Sequence, residues 1–469
     1  MKSSVNVKRS IAVLPFVNLS GNEEEYISVG LTDQLITSLG QIGGLKVASR
    51  TSIVNYKVSS LSLKEISREL RVNYILEGSV QKEDNKLRVS VRLIRAGDNF
   101  QEWSNTYNRN FKDILAIQDS ISLSVASALG RLLDLSKLQE DKPTSIEAYD
   151  HFLKGEFLLR REDSKSMRQA IGEFKQAVRL DSSFALAYSR IGFEYVILTT
   201  PYGDANAKSI ADSASFYNNR ALQLNTTLVD ALNTKGTIKW WFEKDYEGAE
   251  QLFRLGLKNQ SKSNVSAIPL TSFGFFLYTQ NRPQEGLQYC LEAYKLDPAY
   301  MPSHFCLGDA YFILKDYKKA EFHYREGLSL FPGHMDFVES LAWLYCSTNR
   351  YQEAKQILEE NRSMFTTRDP RPWVYLAIAY AKLGDQQKSK SIITEVEKAS
   401  DRGVIVFDLN FHLSRFYSAT DQKTRMYEYL EKSLTENDND LLWLKVDPLF
   451  QDYRNELIFK DILKRAGFK

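Results

Sequence analysis

Between residues 86 and 93 apolar and polar side chains alternate strictly. Leu87, Val89, Val91 and Leu93 fall on one face of an extended chain, and Lys86, Arg88, Ser90 and Arg92 on the other. One face packs and the other is wet, as in an antiparallel sheet covered on a single side. Flanking runs at 74–80 and 100–107, joined through Asp84-Asn85 and Gly97-Asp98-Asn99, complete a three-stranded meander. Upstream, the apolar run 11–17 predicts a buried strand and 26–40 a helix with Leu31, Leu35, Ile36 and Leu39 inward. A second strand is predicted at 45–48 and a helix at 63–70. A last amphipathic helix over 114–133 closes an α/β region of residues 9–135.

After Pro143 the pattern changes to helices in which aromatic, Leu, Gly and Ala residues recur about every 34 positions. One unit carries Leu307, Gly308, Tyr311, Ala320, Tyr324, Gly327 and Pro332; the unit before it carries Phe273, Gly274, Leu277, Gly286, Cys290, Ala293 and Pro298. These match the tetratricopeptide pattern. A small residue in the first helix lets the second approach, a small residue in the second receives a neighbour's aromatic ring, and the proline ends the pair. Drifting units run from Gly155 onward, so residues 136–147 are read as a linker and 148–440 as a repeat solenoid of about seven or eight helix pairs. Residues 441–469 are read as capping helices over the last repeat. The predicted fold class is an α/β N-terminal domain, a mixed sheet with flanking helices, joined to an all-α superhelical solenoid.

Several ordered motifs in the first region carry a family resemblance: Ile11-Ala-Val-Leu-Pro-Phe-Val-Asn-Leu-Ser-Gly21, Gly30-Leu-Thr-Asp33, Ala48-Ser-Arg-Thr-Ser52, Tyr74-Ile-Leu-Glu-Gly-Ser-Val80 and residues 111–118. Over roughly residues 9 to 130 the chain resembles the FlgO-like or TolB N-terminal-like domain of bacteria. In that family the domain commonly follows a class III nucleotide cyclase or a winged-helix DNA-binding domain, often across one transmembrane helix. The resemblance implies the sensory or output-distal half of a bacterial signalling protein. It implies a periplasmic location if a transmembrane segment precedes residue 1, and a cytoplasmic one otherwise.

Composition narrows the chemistry. Lysine and arginine total 61 against 59 acids, so no general charge draws the chain to nucleic acid. No stretch approaches the roughly 20 apolar residues that span a bilayer. Neither a P-loop nor G-x-G-x-x-G occurs, and Gly21 at the first strand-to-helix junction is followed by Glu23, Glu24 and Glu25, which repel phosphate. The histidines His151, His304, His323, His334 and His412 form no local metal motif and are read as packed or surface residues, so no metal and no cofactor is assigned. Cys290, Cys306 and Cys346 are read as free buried thiols.

What remains is a non-catalytic interaction module with a protein or peptide partner, or a second copy of itself. The first helix of each pair lines the concave face of such a solenoid. The repeat register places Phe193, Asn233, Trp240, Trp241, Thr271, Phe275, Tyr278, Phe305, Asp309, Phe312, Glu339 and Trp343 there. Aromatics at helical spacing serve equally well as core, and Trp240 and Trp241 cannot both face one way. Two other readings stay open: a free-standing scaffold or assembly factor, and a sensor or enzyme using an inter-domain pocket.

Overall fold

The computed structural model describes residues 10–40, 42, 45–53, 56, 61–130, 142–161, 163–260, 266–298, 300–402, 404 and 406–468. It divides into two compact units. One holds Met1–Tyr188 with Lys258–Ser266 and Leu296–Tyr300; the other holds Ser189–Leu257, Ala267–Lys295 and Met301–Lys469.

The first unit is built on strands β1 (Ser10–Val13), β2 (Val17–Asn18), β3 (Lys46–Val47), β4 (Tyr74–Glu83), β5 (Lys86–Arg95) and β6 (Phe100–Asn110). Their order is β3-β1-β4-β5-β6, with β2 also on β4. β1 runs parallel to β3 and β4, whereas β4, β5 and β6 form the antiparallel meander. The strand expected over 11–17 is broken, because Pro15 has no N–H to give the ladder. Past it, the Phe16 N–H donates to Thr32 Oγ1 at 3.0 Å.

Helices α1 (Glu25–Gly40), α2 (Arg50–Ile53), α3 (Leu63–Glu69) and α4 (Ile114–Ala128) accompany the sheet. Ser62 and Glu65 close a reciprocal capping box on α3. Leu87, Val89, Val91 and Leu93 of β5 are buried, while Lys86, Arg88 and Arg92 are exposed. The last part of the helix expected to reach residue 133, and positions 136–141 of the expected linker, lie outside the described residues.

A first helix pair, α5 (Ile146–Leu158) and α6 (Ser164–Leu180), belongs to this unit. Leu153 lies against Gly30 of α1, where a Cβ would come within 2.4 Å of its Cδ2. Tyr26 donates its hydroxyl to Asp150 at 2.5 Å. The contact boundary therefore falls one helix pair later than the change of period at Pro143.

Seven further pairs follow among the described residues. They are α7 (Ala185–Ile197) and α8 (Ala207–Leu224), α9 (Val229–Trp241) and α10 (Tyr246–Asn259), and α11 (Ala267–Thr279) and α12 (Pro283–Leu296). Next come α13 (Met301–Ile313) and α14 (Tyr317–Leu330), then α15 (Met335–Ser347) and α16 (Tyr351–Glu360). The series ends with α17 (Arg371–Lys382) and α18 (Gln386–Asp401), then α19 (Leu409–Ala419) and α20 (Lys423–Glu436). Two 3-10 segments, Asn439–Trp443 and Pro448–Tyr453, and α21 (Leu457–Arg465) complete the chain.

Within a pair the two helices meet at the glycine of the repeat signature. A Cβ on Gly308 would lie 2.2 Å from Cε1 and 2.5 Å from Cδ1 of Tyr324. Tyr324 is fully buried, and its hydroxyl is tied to Asp309 at 2.5 Å, so the ring has nowhere to swing. Helix propensity favours alanine over glycine by about 1 kcal/mol, but overpacking of this kind costs about 1–3 kcal/mol. Gly308→Ala is therefore expected to lose about 1 kcal/mol net in urea denaturation; a gain in stability would show that the helices separate freely here.

The cysteines depart from expectation. Cys290 and Cys306 form a disulfide with their Cα atoms 5.5 Å apart, and Cys346 alone is a free, buried thiol. Gly274 provides the space, since a Cβ there would come within 2.7 Å of one sulfur and 2.8 Å of the other.

Candidate interaction groove

Within the second unit the first helices of successive pairs bring Tyr278 (α11), Asp309 and Phe312 (α13), and Trp343 (α15) together. Tyr278 donates its hydroxyl to Asp309 Oδ2 at 3.1 Å, and Tyr324 donates to Oδ1. The Phe312 ring lies 4.6 Å from that of Trp343. Burial pushes the Asp309 carboxyl up to about 7 against those two donors.

The C-terminal segment occupies this seat. Trp443 places its ring 5.6 Å from Tyr278 and 5.3 Å from Trp343. Four residues on, Asp447 is fully buried; it accepts from Trp343 Nε1 at 3.1 Å and from Arg415 Nε at 2.6 Å. The Arg415 guanidinium lies over the rings of Trp343 and Phe411. Further along, Phe450 packs on Phe411, and Phe459 on Phe450, so the segment also covers the last repeat. Tyr246 of α10 donates to the Ala466 carbonyl at 2.8 Å and stacks on Phe468. Residues 441–468 thus do more than cap the final helix pair.

A charged network adjoins the seat. Arg371 donates to Asp336 at 2.6 Å and Asp369 at 2.9 Å, and lies 3.6 Å from Glu339. Burial pushes the Glu339 carboxyl up to about 8, with the two arginines opposing. His412, fully buried beside Arg415, is held well below the usual imidazole range by burial and by the two arginine charges.

The other groove candidates are distributed differently. Asn233 is buried and donates to Ser272 Oγ at 3.2 Å; the Thr271 hydroxyl bonds back to its own helix. Trp240 is buried edge-on to Phe253 and Phe276, whereas Trp241 is half-buried. Phe275 is half-buried against Tyr278, Phe305 stacks 3.9 Å from Phe337, and Phe193 is half-buried. The structure adds Tyr324, Arg371, Arg415, Trp443 and Asp447 to the candidates. The arginines gave no signal in the sequence, since nothing there distinguishes a buried arginine from a solvated one.

The family model of the HilA/YgeH-like transcriptional regulator second domain matches residues 7–122, and the tetratricopeptide repeat model matches residues 302–334. A curated protein of Rhizobium meliloti (strain 1021), provisionally named adenylate cyclase 3, is 32% identical over 190 residues, 39% of this chain and 32% of that protein. The chain therefore spans about a third of that relative's length. Among solved structures, Pseudomonas aeruginosa PilF aligns at 19% identity and a TM-score of 0.35, over 46% of this chain and 97% of PilF. PilW, a type IV pilus biogenesis factor, aligns at 17% identity and a TM-score of 0.38, over 46% of this chain and 94% of PilW. The helical part of the chain is a tetratricopeptide-type solenoid, a fold whose functional class is protein interaction or assembly.

Proposed function

We propose that the chain is a non-catalytic interaction and signalling module of a bacterial regulatory protein, and that a partner segment binds where Trp443 and Asp447 now sit. The observation that carries this reading is the character of the occupant. A short stretch coiled between two 3-10 segments offers one aromatic ring and, four residues later, one carboxylate to a seat lined by aromatic rings and an arginine, as a docked peptide ligand would. A partner of the same chemistry, an aromatic followed by an acidic residue, competes for Tyr278, Phe312, Trp343 and Arg415. The names of the relatives, an adenylate cyclase and a transcriptional regulator, support a regulatory setting, and the FlgO- or TolB-like motifs of the first domain fit it.

The test uses a labelled peptide of residues 439–453 added to the wild-type chain and to Trp443→Ala. The tethered segment acts at an effective concentration in the millimolar range, so the wild type is expected to bind the free peptide at least ~10-fold more weakly than the variant. The peptide should also raise the Tm of the variant. A Trp443→Ala chain with wild-type helicity that neither binds the peptide nor gains Tm from it would overturn the reading.

A further inference from the structure

One side-chain cluster lies apart from the groove seat and has no role in the proposed function. His304 of α13 is fully buried, and His323 and Glu326 of α14, three residues apart, share a helix face. The Nδ1 atoms of His304 and His323 lie 3.4 and 3.5 Å from the same oxygen, Oε2 of Glu326. One ring nitrogen from each histidine and one carboxylate oxygen of Glu326 all fall within 4.8 Å of one another, and this is the grouping of its kind among the described residues. Nδ1 of His323 is buried, and its approach to Glu326 at 3.5 Å is longer than an ordinary hydrogen bond.

The surroundings fix these side chains. Tyr294 donates its hydroxyl to Glu326 Oε1 at 3.2 Å and sets its ring edge-on to both imidazoles. The His323 ring lies parallel to Tyr311, with 2° between the planes. Glu326 keeps 30% of its side chain exposed, which gives an ion a route in.

Two explanations compete for this geometry. Imidazoles that simply share a carboxylate as hydrogen-bond donors settle near 2.9 Å, and separations of 3.4 and 3.5 Å are long for that. A four-coordinate metal with bonds of about 2.0–2.1 Å holds its ligand atoms about 3.3–3.4 Å apart, and two of the three edges already have that length. Two imidazole nitrogens and one carboxylate oxygen suit zinc, cobalt, nickel or copper, and not magnesium or calcium.

We propose that His304, His323 and Glu326 form a binding site for a divalent transition metal that clamps α13 to α14 and leaves one coordination position to solvent. Tyr294 is a positioning residue that aims the carboxylate. The site ties together the two helices of a single repeat.

The tag-free chain, stripped with chelator and dialysed, is titrated with Zn²⁺ and with Co²⁺, with Mg²⁺ as control. One equivalent of Zn²⁺, a visible Co²⁺ spectrum of four-coordinate intensity, a higher Tm with Zn²⁺ and no response to Mg²⁺ are expected. His323→Ala and the near-isosteric Glu326→Gln should each weaken Zn²⁺ binding by roughly 100-fold or more, since even outer-shell changes reach that range. Failure of the folded wild type to retain Zn²⁺ or to give the Co²⁺ spectrum would sink the proposal. So would wild-type affinity in Glu326→Gln, which would place any bound ion elsewhere.

Discussion

Asp447→Ala is expected to destabilise the second unit by about 3–5 kcal/mol, the range for stripping one partner from a buried ion pair. Asp447 is fully buried and Arg415 is 2% exposed, so the guanidinium cannot turn to water when its carboxylate is removed. His412, beside Arg415, offers no negative charge in either protonation state, and Asp447 is the carboxylate that Arg415 Nε bonds directly. Trp343 Nε1 loses its acceptor in the same change. The exposed pair Arg465 and Glu431 makes the contrast: each side chain is 46% exposed, and such pairs contribute about 0–1 kcal/mol. Urea denaturation of Asp447→Ala, Arg415→Met and the double variant separates the pair energy from the rest. The double variant should be clearly more stable than the sum of the single losses predicts, because it removes the orphaned charge. An Asp447→Ala chain within about 1 kcal/mol of wild type would mean that the seat is open to water, which would also remove the ligand-like reading of the C-terminal segment.

How much of this was legible beforehand depended on the range of the interaction. Alternation around Val89 and Val91 and the recurrence from Gly274 to Gly308 are local patterns that burial enforces residue by residue, and the meander and helix pairs follow them. The break at Pro15 was equally local and could have been anticipated from its missing N–H. The seat was not legible, because Trp343 and Asp447 are 104 residues apart and nothing near either one marks the other. The disulfide was missed for a related reason. Cys290 and Cys306, 16 residues apart, occupy ordinary core positions of neighbouring helices, and only the helix approach at Gly274 aims their sulfurs at each other. His323 and Glu326 stand on one helix face in any reading, but the packing of α13 on α14 supplies His304. Trp240 and Trp241 divided as helical geometry requires, one buried and one half-buried.

Stability should also fall as pH rises from 7 to 8. Asp309 and Glu339 are acids whose native proton affinity is raised by burial, to about 7 and about 8, and Asp438 is raised to about 7. In the unfolded chain these carboxyls are ionised above about pH 5, so across the window the native state binds protons that the unfolded state does not. Linkage then requires stability to decrease with pH by at most about 1.4 kcal/mol per unit for each such group. The loss is absent below the unfolded carboxylate range, where both states are protonated, and is complete once the native groups have ionised. Two opposing contributions set the window. His323 and His412, both lowered in the native protein, raise stability with pH only until the unfolded imidazole has lost its proton, near 6.5. Lys244, lowered to about 8 by burial, begins to raise stability only toward the upper limit. Their partial offset leaves an expected net fall of about 1–2 kcal/mol between pH 7 and 8. In the Asp309→Asn, Glu339→Gln double variant the slope should drop, with the buried carboxyls of Asp438, Asp440 and Asp408, all raised by burial, supplying the remainder. A wild-type chain whose urea midpoint rises over this interval, or a double variant with an unchanged slope, would show that these carboxyls are ionised and solvated in the native groove.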